Sequence, residues 1–303
     1  MSTTNETTTE RPAPPAEPEF QREGVGRRIV GFFSGGIPQI VLLLVALFWL
    51  IPGVGLLVAS LRPESANNTG WWTAFAHPDQ FTTHNYTQLL KNNTMISAFT
   101  NTVIITVSTT ILVVVIGSMA GYAFAWMEFP GRDWIFLIVV GLLAVPLQVA
   151  LIPIAKFYNL VGLFHTLPAV ILFHLGFGLP FAVFLLRNFF AGIPRDLLEA
   201  ARMDGATEVR IFIRVILPLG LPAIASLGIF QFLWTWNDLL VGLTFGGSSA
   251  RPLTVAIKEQ FAAFGNNIDV ISSASFLSMI VPLVVFFSFQ RYFVQGVLAG
   301  SVK

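Results

Sequence analysis

Six long apolar runs dominate this chain, at 37–60, 101–126, 134–154, 167–186, 219–243 and 273–289, and only the fifth holds a formal charge, Asp238. About 20 apolar residues wound as a helix span the roughly 30 Å hydrocarbon layer of a bilayer. In that layer no water satisfies backbone N–H and C=O groups, so each run must close its own hydrogen bonds as an α-helix. The expected fold is therefore all-α, a polytopic membrane protein with six transmembrane helices. Composition agrees, since 54% of the 303 residues are hydrophobic and only 11% are charged, far from the balance of a soluble domain. The chain has no cysteine, which excludes disulfides, thiolate metal sites and a cysteine nucleophile. A net charge of +1 gives no sign of nucleic acid as a partner.

Residues 1–28 are rich in Thr, Glu and Pro; with so little to bury they read as a disordered tail ahead of a membrane domain at 29–303. The run 37–60 is too long, and too far from Met1, for a signal peptide. Pro146 and Pro180 fall inside the third and fourth runs and should kink them. Twelve of the 17 Lys and Arg residues fall in the tail, 128–133, 187–217 and the C-terminal stretch 290–303, against five in the alternate loops. The excess of basic residues marks the cytoplasmic side, so both termini and the segment 187–218 are expected there, in a bacterial cytoplasmic membrane.

That segment is the most polar in the chain. Pro194 is placed to open a helix and Gly205 to end it in a left-handed cap. Thr207 can cap a second helix with Glu208 in its first turn, and Pro218 argues against simple continuation of that helix. Ala200 and Ala201 keep the first helix slim enough to enter a groove on a partner, with Glu199 and Arg202 making polar contacts at its edge.

Glu199-Ala200-Ala201, then Gly205, then Val215 and Leu217-Pro218 at fixed spacing resembles the signature loop of the permease subunits of ABC importers, with Val215 where isoleucine is usual. Phe177 to Phe181, Leu185 to Phe190, Trp236-Asn237-Asp238 and the stretch from Gln290 to Lys303 are similar to the MalG-type carbohydrate permeases. Trp126 to Trp134 is most similar to the alpha-glucoside subgroup, as are Ser60 to Pro63 and Trp71-Trp72. The resemblance covers about residues 37–303 and implies a type I ABC importer permease fold. It also implies a MalF-type second permease, two ATP-binding subunits, an extracytoplasmic sugar-binding protein and a sugar substrate. ATP and Mg would be used by the partner ATPase, so this chain would hold no cofactor and would not be an enzyme. Glu199, Ala200, Ala201, Asp204, Gly205, Leu217 and Pro218 would couple to the ATPase, and Gly296, Gly300 and Lys303 would touch it from the C-terminal tail.

No Gly-Lys dipeptide occurs anywhere, so a P-loop is impossible. His77, His84, His165 and His174 are scattered rather than set at ligand spacing, which offers no metal site. His174 reads as a packed helix-contact residue. Polar side chains inside spans invite a functional reading: Gln148 in the third run, and Gln231, Trp234, Asn237 and Asp238 in the fifth. Gln231, Trp234 and Asp238 share a helix face at intervals of three and four, where an aromatic ring beside amide and carboxylate groups suits a sugar. A role for Asp238 in assembly with the partner permease stays open beside the pathway role. An ion-coupled secondary transporter with Asp238 as carrier is the alternative reading; the signature loop argues against it. Replacing Asp238 with Ala is expected to lower uptake while the complex still co-purifies; loss of the partner permease from that preparation would instead mark an assembly role.

Overall fold

The computed structural model describes residues 25–264 and 268–299. Most of the expected tail 1–28 therefore lies outside the described residues, as do Gly300 and Lys303. Residues 1–52 and 53–303 form separate compact units. The first contributes the start of α1 (Val25–Ser60), which carries the apolar stretch Pro38–Ser60.

Short elements follow in the second unit: α2 (Glu64–Asn67), two turns of 3-10 helix and α3 (His84–Lys91). They pack around Arg62, whose buried guanidinium donates to Gly70 O, Thr73 Oγ1 and Gln80 Oε1. Asn85 donates to the carbonyls of Ser60 and Arg62, occupying acceptors that the end of α1 leaves free. Residues 61–91 thus form a folded cap ahead of α4.

Then come α4 (Asn93–Trp126), α5 (Arg132–Leu142), α6 (Leu147–Leu160), α7 (Leu167–Ala191), α8 (Arg195–Met203) and α9 (Glu208–Ile211). A π turn at Phe212–Ile216 leads into α10 (Leu217–Trp236), followed by α11 (Leu240–Phe245), α12 (Leu253–Phe264) and α13 (Ile268–Ala299). Among the described residues five helices are long and apolar enough to cross a membrane, and six if α5 and α6 count as one broken span.

Helices α4 and α7 form the centre. A Cβ added to Gly117 would come within 2.7 Å of the Ala182 Cβ, and one on Gly121 within 2.9 Å of the Leu186 Cβ. The shared offset of these pairs makes the two helices parallel, and their backbones approach closely because glycine offers no side chain, the usual basis of helix association in lipid. The returning span between them is the pair α5 and α6.

Several expectations change. The run 134–154 is not one kinked helix: α5 and α6 meet at 101°. Pro146 caps α6 in extended backbone with ψ 129, and proline pushes the residue before it out of the helical region. The fourth run extends to Ala191 and takes in Arg187, whose guanidinium lies 4.8 Å from the centre of the Phe136 ring. Pro218 does not stop the helix: Glu208–Trp236 is continuous. The π turn just before α10 loosens the hydrogen-bond ladder at the point where the proline ring would meet the preceding carbonyls. The last helix runs through 290–299, so most of the expected C-terminal tail is helical backbone.

Replacing Gly121 with Ile should force α4 off α7 at a cost of about 1–3 kcal/mol. The same change at Gly141, where an added Cβ meets nothing within 4 Å, should cost far less. Thermal unfolding of the two variants in detergent measures the difference.

Candidate functional site

The loop between α7 and α10 is built as the sequence suggests. Pro194, in extended backbone, precedes α8. Gly205 closes it at φ 78, and the amides of Gly205 and Ala206 bond back to the carbonyls of Arg202 and Ala201. This double closure is a Schellman cap, which needs a residue free to adopt positive φ. Thr207 then caps α9 by accepting from the Arg210 amide.

One side of α8 is fixed to the membrane domain. Leu198 is 0% exposed and sits in a cluster with Leu186, Phe190, Ile211, Ile216 and Leu227. The other side faces outward, and it is not purely polar: Met203 is 85% exposed and Leu197 46%, with Val209 at 67% just beyond the cap. Glu199, Ala200, Asp204 and Gly205 are exposed with them, and Ala201 is half-buried. Large apolar side chains left bare on a charged segment mark a surface made to be covered. Leu217 and Pro218 lie apart from this face, past the π turn at the head of α10.

Four of the charged groups, Arg195, Glu199, Arg202 and Glu208, are paired within the loop. Glu199 accepts from Arg195 at 2.8 Å, an i,i+4 pair on the open surface. Arg202 is paired within the loop: its Nε donates to Glu208 Oε1 at 2.9 Å, and this bond holds the guanidinium above its ordinary pKa. The Tyr122 hydroxyl on α4 donates to Glu208 Oε2, a contact across 86 positions that sequence inspection misses. Nearby, the Trp126 Nε1 donates to the Phe190 carbonyl. A cleft of about 410 Å³ lined by Trp126, Glu128, Arg132, Arg195, Arg202 and Glu208 opens beside these contacts.

The expected pathway residues are only partly brought together. Helix α10 ends at Trp236, so Asp238 is not on its face; Asn237 closes the helix and donates to Leu233 O. Gln231 is buried and donates to Thr235 Oγ1. Its Oε1 stands where a Cβ on Gly178 would be, 2.5 Å away. Trp234 is 40% exposed and meets the His174 ring edge-on at 5.6 Å. Asp238 Oδ2 accepts from the Gly242 amide and lies 3.7 Å from His174 Nε2. His174 is therefore buried against both, the helix-contact role expected of it. Gln148 is exposed at the start of α6, and Gly296 lies on the α13 backbone.

The described spans, the glycine-packed pair α4 and α7 and the docked loop define a multi-pass membrane permease with the type I ABC importer fold. Chains of known structure share it: a bacterial ABC transporter involved in the import of the acidic polysaccharide alginate superposes with a TM-score of 0.74 at 23% identity, over 89% of this chain and 98% of that one. Residues 113–299 match the family model described as binding-protein-dependent transport system inner membrane component, and this chain belongs to that family. It is 47% identical over 271 residues to the osmoprotective compounds uptake permease protein GgtD of Synechocystis, covering 88% of this chain and 91% of that protein. It is 44% identical over 254 residues to the alpha-glucoside transport system permease protein AglG of Rhizobium meliloti, covering 82% and 67%.

Truncating Leu198 to Ala should cost about 2–5 kcal/mol, the usual range for emptying a fully buried leucine site. Since Leu198 is the buried residue of α8, the loss should appear as loosening of the loop, read as faster proteolysis at Arg195 and Arg202 in membranes.

Proposed function

We propose that this chain is one permease subunit of an ATP-driven importer that carries an alpha-linked di- or oligosaccharide across the cytoplasmic membrane. The observation that carries the reading is the bare apolar face of α8, with Leu197, Ala200 and Met203 outward while Leu198 anchors the helix inward. A groove on an ATP-binding subunit is the cover this face fits, with Glu199, Ala201, Asp204 and Gly205 around the contact. Closure of two such subunits on ATP would press on α8 and turn the cavity outward, and hydrolysis would reset it. Such a cycle is a two-state equilibrium biased by nucleotide and by the loaded binding protein.

The sugar class is supported by the likeness to AglG, whose name states alpha-glucoside transport, while GgtD is named for osmoprotective compounds. A second permease subunit, a pair of ATP-binding subunits and an extracytoplasmic binding protein complete the assembly. ATP and Mg belong to those partners, consistent with the lack of any Gly-Lys dipeptide here. Both termini face the cytoplasm on the count of basic residues. Gly296, Gly300 and Lys303 reach the ATPase from the C-terminus, and Leu217 and Pro218 carry the motion into α10. In the pathway Trp234 is the favoured sugar contact, because its ring is partly open; Asp238 and Gln231 have protein partners already.

Met203→Asp should strip the ATP-binding subunits from the purified complex, and Gly205→Pro should leave the protein inserted but abolish uptake. Retention of those subunits by Met203→Asp, or normal uptake with Gly205→Pro, sinks the docking role. Maltose, trehalose and a small glucosylated osmolyte, each with the binding protein, should be compared for stimulation of ATP hydrolysis. Response to the osmolyte alone would overturn the oligosaccharide assignment.

A further inference from the structure

Three elements meet at the Glu208 carboxylate. Arg202, in the last turn of α8, donates to both of its oxygens, through Nε at 2.9 Å and Nη2 at 3.4 Å. Tyr122, near the end of α4, donates to Oε2. The Tyr122 ring also lies 5.3 Å from the ring of Phe212, the first residue of the π turn. Between Arg202 and Glu208 stands Gly205, at φ 78 with nothing within 4 Å of an added Cβ. The two backbone bonds of the cap hold this joint, but nothing packs within 4 Å of the Cβ position, so part of a force on the outer face of α8 would be spent in bending it. The Arg202–Glu208 pair bridges the joint from side chain to side chain. Arg195, the other basic residue of α8, is paired with Glu199 and does not compete.

We propose that Tyr122 is a positioning residue for coupling: with Glu208 and Arg202 it forms a strap that stiffens the Gly205 joint and passes displacement of α8 into α4 as well as α10. The inference rests on the docking role of α8. Helix α4 is the receiver because Gly117 and Gly121 hold it against α7, so movement delivered to its end reaches the packed centre. The π turn begins four residues after Glu208. A segment with this wider hydrogen-bonding pattern is where a helix yields to load, and without the strap the displacement would be taken up there. Arg202 and Glu208 keep 37% and 42% of their side chains exposed. Such pairs add little to stability, and their weight here is on the position of α8.

The chain lacks cysteine, so once the partner subunits are also made cysteine-free, Asp196→Cys on α8 and Glu128→Cys beyond the end of α4 accept spin labels at those two sites alone. In the assembled transporter the distance between the labels is measured without nucleotide and after trapping with ATP and vanadate. The strapped chain should keep the same distance distribution in both states. Adding Tyr122→Phe, which keeps the ring against Phe212, should leave the nucleotide-free distribution unchanged and widen the trapped one about twofold, as expected when one arrangement becomes several. Glu208→Gln should do the same. An unchanged trapped distribution in Tyr122→Phe overturns the strap, and so does widening already present without nucleotide, which marks a packing role only. Failure of the docking role is seen separately, as retention of the ATP-binding subunits by Met203→Asp.

Discussion

In lipid there is no hydrophobic drive to bring one apolar helix against another, so association depends on how closely two backbones can approach. Gly117 against Ala182 and Gly121 against Leu186 provide that approach between α4 and α7; α10 packs against both of these helices, and α13 packs on α10 in turn. Gly178 continues the same line and lets the Gln231 amide of α10 sit close to α7. The buried cluster that anchors the loop draws on α4, α7 and α10 alike, through Val113, Tyr122, Leu186, Phe190 and Leu227. The position of α8 is therefore set by the glycine contact, although α8 itself lies outside the apolar runs.

Opposite demands meet in the loop. It must be held firmly enough to transmit force and must offer an apolar surface to another chain. The residues divide the task by helix face: Leu198 points inward, while Leu197, Ala200 and Met203 point outward. The Schellman cap at Gly205 turns the chain sharply enough for α9 to start beneath α8, and the side-chain pairs of Arg195 and Arg202 neutralise charge locally. What remains exposed is an apolar contact surface bordered by the carboxylates of Asp196 and Asp204.

The polar residues inside the spans show a similar economy. A carboxylate, a histidine and two amides within the apolar runs suggest a pathway, but the carboxylate and the amides are used in local hydrogen bonds at or beyond the end of α10. Asp238 accepts from the Gly242 amide in the first turn of α11, Asn237 closes α10, and Gln231 bonds to Thr235 one turn on. His174 keeps Nδ1 buried without a hydrogen-bond partner while its ring contacts Trp234. Trp234 and Asn237 are the exposed members of this group, and of the two only Trp234 offers an open ring face.

Apolar runs of span length with a single formal charge among them, and the polar segments between them, were enough to reveal an all-helical membrane protein and the segment that holds α8, because backbone hydrogen bonding in hydrocarbon leaves no other choice. The caps at Pro194, Gly205 and Thr207 were legible too, since each depends on the local preference of one residue. The break between α5 and α6 was not, because a proline in an apolar run marks a kink and a full turn equally well. Nor was the passage of α10 through Pro218, which depends on a π turn that no residue type specifies. The contact of Tyr122 with Glu208, the burial of Leu198 beside the exposure of Leu197, and the removal of Asp238 from the α10 face join positions far apart or turn on the facing of a single helix. Local pattern places residues on elements; only the packing of those elements decides which side chains meet.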